Sequence, residues 1–202
     1  MKILHIDASD SHQSESHTRG LSATVVEHLI QKFPDAVVDY LDVNALALPH
    51  VGVNIRGAWA ADTERDPSLD ELASRSKALV QQLQESDVMV IGSPMYNFTV
   101  PSTLKAWIDH VAIAGQTFSY SEHGPLGLLG GKTAYLALSS GGIYSEGPAK
   151  AADHLDTYLR TVLAFMGVED VHTVRAEGTA LGPDSAKAAM ANAHAAIQSL
   201  IH

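Results

Sequence analysis

The sequence predicts an α/β fold, a five-stranded parallel sheet with helices on both faces. Three observations carry that prediction. Short apolar runs alternate with longer amphipathic stretches in the order βαβαβαβαβα along the 202 residues, the pattern of parallel strands joined by helical crossovers. The run Val88 to Ile91 is almost purely apolar, as in a strand covered on both faces. It then stops at Gly92, Ser93 and Pro94, and in an open sheet of this class ligands bind at such carboxyl ends.

Lys2 to Ile6 reads as the first strand. It leads into Asp7 to Arg19, polar and rich in serine, and then into a helix through about Lys32 with Leu21, Val25, Val26, Leu29 and Ile30 on one face. A hydroxyl-rich loop at a helix amino terminus suits an anion, because free N–H groups and the positive end of the helix dipole face it. Ser9, Ser16, His17 and Thr18 are the candidates, with Arg19 as a further charge. Ser16 or Thr18 acting only as a helix cap is the competing reading.

Ala36 to Leu41 is the second strand, built on Val37, Val38 and Tyr40. A long, weakly patterned connection over 42–66 contains Trp59 and reads as a lid or surface excursion. A helix from Asp66-Pro67-Ser68 to about Glu85 carries Leu69, Leu72, Leu79, Val80 and Leu83 as its core stripe. After the central strand comes Met95-Tyr-Asn-Phe98, which offers two rings, a thioether and an amide to a flat, partly polar ring system. A buried aromatic plug is the competing reading. The helix Pro101 to about Ala114 places Leu104, Trp107, Ile108 and Val111 on one face, so Trp107 is assigned to the core.

Gly115 to Gly131 is irregular and glycine-rich, with Phe118 and Tyr120 alternating in it. Lys132 to Leu138 is the fourth strand, ending in Ser139-Ser-Gly-Gly142. A helix over about Ala149 to Met166, a fifth strand Val168 to Arg175 and a closing helix Asp184 to about Ile201 complete the chain. There are no repeats, low-complexity tracts or linkers, so one domain spans 1–202.

Composition narrows the function. Apolar residues make up 46% and charged residues 18%, ordinary for a globular protein. The net charge of −10, from 13 Lys plus Arg against 23 Asp plus Glu, opposes binding to a nucleic-acid backbone. No run reaches the roughly 18 apolar residues of a membrane span, and the first apolar stretch is too short for a signal peptide. Zero cysteines exclude disulfides and thiolate chemistry. A cytoplasmic protein without membrane or nucleic-acid partners is expected.

Several motifs fail on inspection. Gly127-Leu-Leu-Gly-Gly-Lys-Thr133 lacks the spacing of a phosphate-binding P-loop and precedes a strand, not a helix. No Gly-x-Gly-x-x-Gly follows the first strand. Ala137-Leu-Ser-Ser-Gly141 resembles a degenerate nucleophile elbow around Ser139, with His154, His172 or His194 as a conceivable base, but the next helix starts about seven residues later. The 11 histidines show no paired metal spacing and most are expected at the surface; no metal site is assigned.

Four segments together resemble the FMN-dependent NADH azoreductases, also described as FMN-dependent NADH:quinone oxidoreductases. They are Ser16-His-Thr-Arg19; Pro94-Met-Tyr-Asn-Phe98; Gly115-Gln-Thr-Phe-Ser-Tyr120 through Glu122-His-Gly-Pro125; and Ser139-Ser-Gly-Gly-Ile143 with Gly147-Pro148. Ala176-Glu-Gly178 and the closing helix are also similar. The resemblance implies a single flavodoxin-like FMN-binding domain with strand order 2-1-3-4-5, one non-covalent FMN per subunit, NADH as donor, and a homodimer with sites at the interface. It implies that quinones or azo compounds are reduced by two-electron, ping-pong hydride transfer.

On this resemblance Ser9, Ser16, His17 and Thr18 would bind the FMN phosphate. Pro94, Met95, Tyr96, Asn97 and Phe98 would embrace the flavin ring, and Ser139, Ser140, Gly141 and Gly142 would line its pyrimidine edge. Phe118 and Tyr120 would lie near the open face where substrates stack. No side chain is assigned as acid or base. At Ser140 the family often carries arginine, and the middle of the 42–66 connection departs from it. A one-electron flavodoxin-type carrier and, less favoured, a serine hydrolase at Ser139 remain the alternatives.

Overall fold

Side chains along the central strand point alternately to two different cores, and that alternation organises the molecule. The computed structural model describes residues 1–12, 14–52, 59 and 67–201. In chain order the elements are β1 (Lys2–Asp7), α1 (His17–Lys32), β2 (Val37–Asp42), α2 (Pro67–Glu85), β3 (Val88–Pro94), α3 (Ser102–Val111), β4 (Phe118–Ser121), β5 (Gly124–Gly127), β6 (Thr133–Ser140), a 3-10 turn (Pro148–Ala152), α4 (His154–Phe165), β7 (Asp170–Glu177) and α5 (Pro183–Leu200). Five strands pair in the order β2-β1-β3-β6-β7, all parallel. With the β4–β5 hairpin set aside, this is the expected order 2-1-3-4-5.

Val88 and Val90 join Ile3, Leu21, Val25 and Leu29 beneath α1, where Ala189, Ala193 and Ile197 of α5 also pack. Met89 and Ile91 face the other way, onto Leu79, Val80 and Leu83 of α2, Leu104, Trp107 and Val111 of α3, and Leu155, Leu159 and Leu163 of α4. The period-2 pleat therefore feeds two apolar layers. Each large side chain fully buried there contributes about 1.5–3 kcal/mol. Trp107 is 2% exposed and belongs to the core, as expected.

Three details differ from the sequence reading. The stretch 115–131 is not irregular throughout. It holds the antiparallel hairpin β4–β5, with Phe118 opposite Gly127 and Ser121 opposite Gly124. The helix expected over 149–166 is divided, because Asp153 accepts from the N–H groups of Leu155 and Asp156 and so caps a new helix. α3 ends at Val111, not Ala114: the Thr117 hydroxyl donates to Val111 O (2.8 Å) and accepts from Ile113 N (3.1 Å). His5 and His110 are the buried histidines among the described residues. Most of the 42–66 connection lies outside the described residues; Trp59 itself packs half-buried on the core beside His110.

The register aligns the strand ends that matter. Asp7 stands beside Gly92, Gly92 beside Ala137, and Pro94 beside Ser139. β1 leads outward to β2 while β3 lies on its other side, so the connections diverge there and leave a crevice.

Candidate functional site

Three turns rise at the carboxyl ends of β1, β3 and β6. In the first, Ser16 is the N-cap of α1, and its hydroxyl accepts from Arg19 N (3.3 Å) and contacts the Thr18 hydroxyl (3.3 Å). Capping and anion binding are compatible here, because the N–H groups of His17 and Thr18 open the helix and have no hydrogen-bond partner among the described residues. Ser9 is buried at the other side of the turn, its hydroxyl accepting from Ser11 N. Arg19 does not add its charge to this turn. Its guanidinium is buried and turns inward to Asp42 (2.8 Å), Tyr40 (2.8 Å) and the Ser9 carbonyl (2.6 Å).

The second turn is Tyr96-Asn-Phe-Thr99. Tyr96 and Thr99 exchange two backbone hydrogen bonds (3.0 and 3.2 Å), while Asn97 and Phe98 have φ of 49° and 73°. Two central residues at positive φ make a tight mirror-image turn, and non-glycine residues hold that region only at a cost of about 1–2 kcal/mol each. The turn is braced at both ends. Met95 N donates to Ser139 O (2.8 Å), and His154 N donates to Phe98 O (3.1 Å). It is not a buried plug: Tyr96 is 37% and Phe98 50% exposed. Phe98 meets Tyr144 edge-on at 6.1 Å. The Tyr96 hydroxyl donates to the Asp10 carboxylate, which joins this turn to the first. Burial, together with the bond to Asp10, raises the Tyr96 pKa, so the phenol stays a donor.

In the third turn Ser139 and Ser140 are buried and Gly141 is exposed. The carbonyls of Ser140, Gly141 and Gly142 accept from the N–H groups of Thr179 (3.2 Å), Ala180 (3.1 Å) and Gly178 (2.9 Å). With those carbonyls turned to the segment after β7, the N–H groups of Gly141 and Gly142 have no partner among the described residues. Glu177, which the sequence reading did not single out, clamps the loop by accepting from the N–H groups of Tyr144 (2.8 Å) and Ser145 (2.9 Å). Its only signal was a place in the Ala176-Glu-Gly178 segment. No histidine bonds to Ser139 among the described residues, and His194 Nδ1 is taken by Met190 O. A hydrolytic triad is therefore not assembled.

Phe118 and Tyr120 are not brought to these turns within one chain. Phe118 is 8% exposed and packs on Phe165 (centroids 4.4 Å) and Tyr120 (5.5 Å). The hairpin is rooted where Leu129 N meets Met166 O (2.8 Å), just ahead of β6. At about 3.3 Å per residue, the root lies roughly 23 Å from the cleft along β6. A separate hollow of about 280 Å³, lined by Lys2, Val37, Asp39 and Gln82, lies on the flank of β1 and β2 away from the three turns.

What the cleft can do follows from its donors. One end offers hydroxyls and helix-terminal N–H groups without a cation, enough for a phosphate. The other offers exposed rings and amide N–H groups for a flat, edge-accepting ring system.

Comparison with known proteins shows similarity along the whole chain. A family profile described as Flavodoxin-like fold matches residues 1–201. An FMN-dependent NADH:quinone oxidoreductase of Ralstonia nicotianae is 46% identical over 205 residues, covering 100% of this chain and 98% of the relative. The crystal structure of the azoreductase AzrA superposes with a TM-score of 0.92 at 27% identity, over 100% of this chain and 99% of that one. An FMN-dependent NADH-azoreductase from Bacillus anthracis, crystallised in complex with FMN, gives a TM-score of 0.87 at 26% identity, over 100% and 99%.

Proposed function

Since the chain belongs to the flavodoxin-like fold family matched over residues 1–201, we propose that it is an FMN-dependent NADH:quinone oxidoreductase that also reduces aromatic azo compounds. The observation that carries this reading is the set of three turns at the β1, β3 and β6 ends, which present exposed rings and N–H groups without partners among the described residues to one crevice. That donor set fits FMN. Ser9, Ser16, His17 and Thr18 would hold the phosphate; Pro94 to Phe98 would hold the ring; Ser139 to Gly142 would line its oxygen-bearing edge.

Bound there, FMN would supply the redox chemistry, taking hydride from NADH and passing two electrons to a quinone or azo compound in the same place. The chain's own part is positioning. Carbonyls of residues 140–142 are occupied by the 178–180 segment, so the N–H groups of Gly141 and Gly142 stand as preorganised donors for negative charge on the ring edge. The Asn97 N–H, fixed by its left-handed backbone, would donate from the opposite side. No side chain is needed as acid or base.

The protein would act as one domain over 1–202 and as a homodimer. Tyr120 is 73% and Leu126 56% exposed on a hairpin rooted far from the cleft of its own chain. Placed so, Tyr120, backed by Phe118, would stack on substrate in the cleft of a second copy. Among the described residues no helix is long and apolar enough to cross a membrane, and with NADH as donor we assign the protein to the cytoplasm.

Steady-state kinetics test this reading. With NADH and a benzoquinone varied together, double-reciprocal plots should be parallel, because the two substrates share one pocket in turn. Intersecting lines would overturn the shared pocket. Turnover only in the presence of an added reductase would indicate a one-electron carrier instead.

A further inference from the structure

Beneath the first turn lies a buried polar network that the proposed chemistry leaves unused. Arg19 is 8% exposed. Its Nη2 donates to Ser9 O (2.6 Å) and Asp42 Oδ2 (2.8 Å), and its Nη1 donates to Tyr40 Oη (2.8 Å) and lies 3.8 Å from Asp7. Burial disfavours its charge, but the bond to Asp42 and the fields of Asp42, Tyr40 and Asp7 outweigh that and raise its pKa. Asp7 is satisfied in turn by Ser22 Oγ (2.7 Å) and Tyr40 Oη (3.2 Å).

Asn44 grips the same carbonyl from the other side. Its Nδ2 donates to Ser9 O (2.7 Å), its backbone N–H donates to Asp42 Oδ1 (2.9 Å), and its Oδ1 accepts from the Thr103 hydroxyl (2.7 Å). Thr103 lies in the first turn of α3, five residues after Phe98. Three residues thus link the phosphate turn directly to the helix that carries the ring turn.

We infer that Arg19 and Asn44 are positioning residues, which hold the Ser9 carbonyl and so set the spacing between the phosphate turn and the ring turn. The inference rests on the FMN reading. A ligand that reaches both turns feels that spacing, whereas one that engages only the ring turn does not. FMN and riboflavin, identical but for the phosphate, separate the two cases. Lysine cannot reproduce the fork that meets Ser9, Asp42 and Tyr40 together.

The test titrates flavin-free protein with FMN and with riboflavin, following quenching of flavin fluorescence, for wild type, Arg19→Lys, Asn44→Ala and Thr103→Val. Arg19→Lys and Asn44→Ala should each weaken FMN about tenfold, the scale of one lost strong hydrogen bond, with riboflavin changed less than about twofold. Thr103→Val should move the FMN-to-riboflavin ratio in the same direction by less, and it keeps the test alive if Arg19→Lys does not fold. Variants that match wild type on both flavins, or that lose both equally, would overturn the inference. Wild-type protein unable to bind FMN would instead sink the cofactor reading beneath it.

Discussion

Asn97 and Phe98, at φ of 49° and 73°, store backbone strain where the ring turn must aim its amides. Asn97→Gly removes that strain but adds freedom to the unfolded chain, and the two should offset to leave stability and flavin content near wild type. Asn97→Val should cost about 1–2 kcal/mol, measured by urea unfolding; an unchanged midpoint would show that the turn is not strained. Gly92 is constrained from another direction: a Cβ there would lie 2.4 Å from Asp7 Oδ1 and 2.9 Å from Ser22 Oγ, so Gly92→Ala should push the buried carboxylate out of its bonds. Tyr158 gives a pH signature. Burial, aided by Asp109, pushes its phenol up to about 12 from the usual 10.0. A raised folded-state pKa means that the unfolded chain loses this proton first, so stability should fall as pH rises from 10 towards 12. Tyr158→Phe should flatten that fall in unfolding midpoints. At this scale the sequence revealed residue types but not directions. Ser16 was legible as a cap because its partner is three residues away. The inward turn of Arg19 was not, since Tyr40 and Asp42 reach it only after β2 pairs with β1.

Elements were legible where period and punctuation agreed. β3 announced itself as an apolar run ending in Gly-Ser-Pro, and α1, α2 and α3 as stripes of consistent spacing. The β4–β5 hairpin was hidden because Gly124, Pro125 and Gly127 erase the alternation that marks a strand. The break before α4 was hidden because helix-forming residues run on both sides of Asp153, and only its bonds to Leu155 N and Asp156 N show a cap. That cap also anchors Arg175 (2.8 Å), which reaches Asp156 (2.9 Å) as well. Asp153→Ala should therefore lower stability by about 1 kcal/mol and not by the larger penalty of a stranded charge, because Asp156 keeps Arg175 paired. A loss above about 4 kcal/mol in chemical unfolding would mean that Asp156 does not substitute.

Across the whole molecule, the sheet order places the ends of β1, β3 and β6 side by side, and the cleft follows from that order more than from any one motif. The alternating pattern made the parallel sheet legible, and the four matching segments supplied its order. What one chain could not reveal is the hairpin's role, since Tyr120 is exposed on it and far from the three turns of its own chain; on the proposed reading that role is played in a second copy. Tyr120→Ala should leave FMN content unchanged while lowering kcat/KM for the quinone, and loss of FMN instead would place Tyr120 in the cofactor's grip. The central claim, that this cleft holds an FMN reducible by NADH without help, is tested most directly by the visible spectrum of the purified protein before and after NADH is added in the absence of air. A flavin band of about one cofactor per chain, bleached by NADH alone and restored by a quinone, is the expected result. A colourless chain that takes up no FMN, or a flavin band that NADH leaves unchanged, would contradict it.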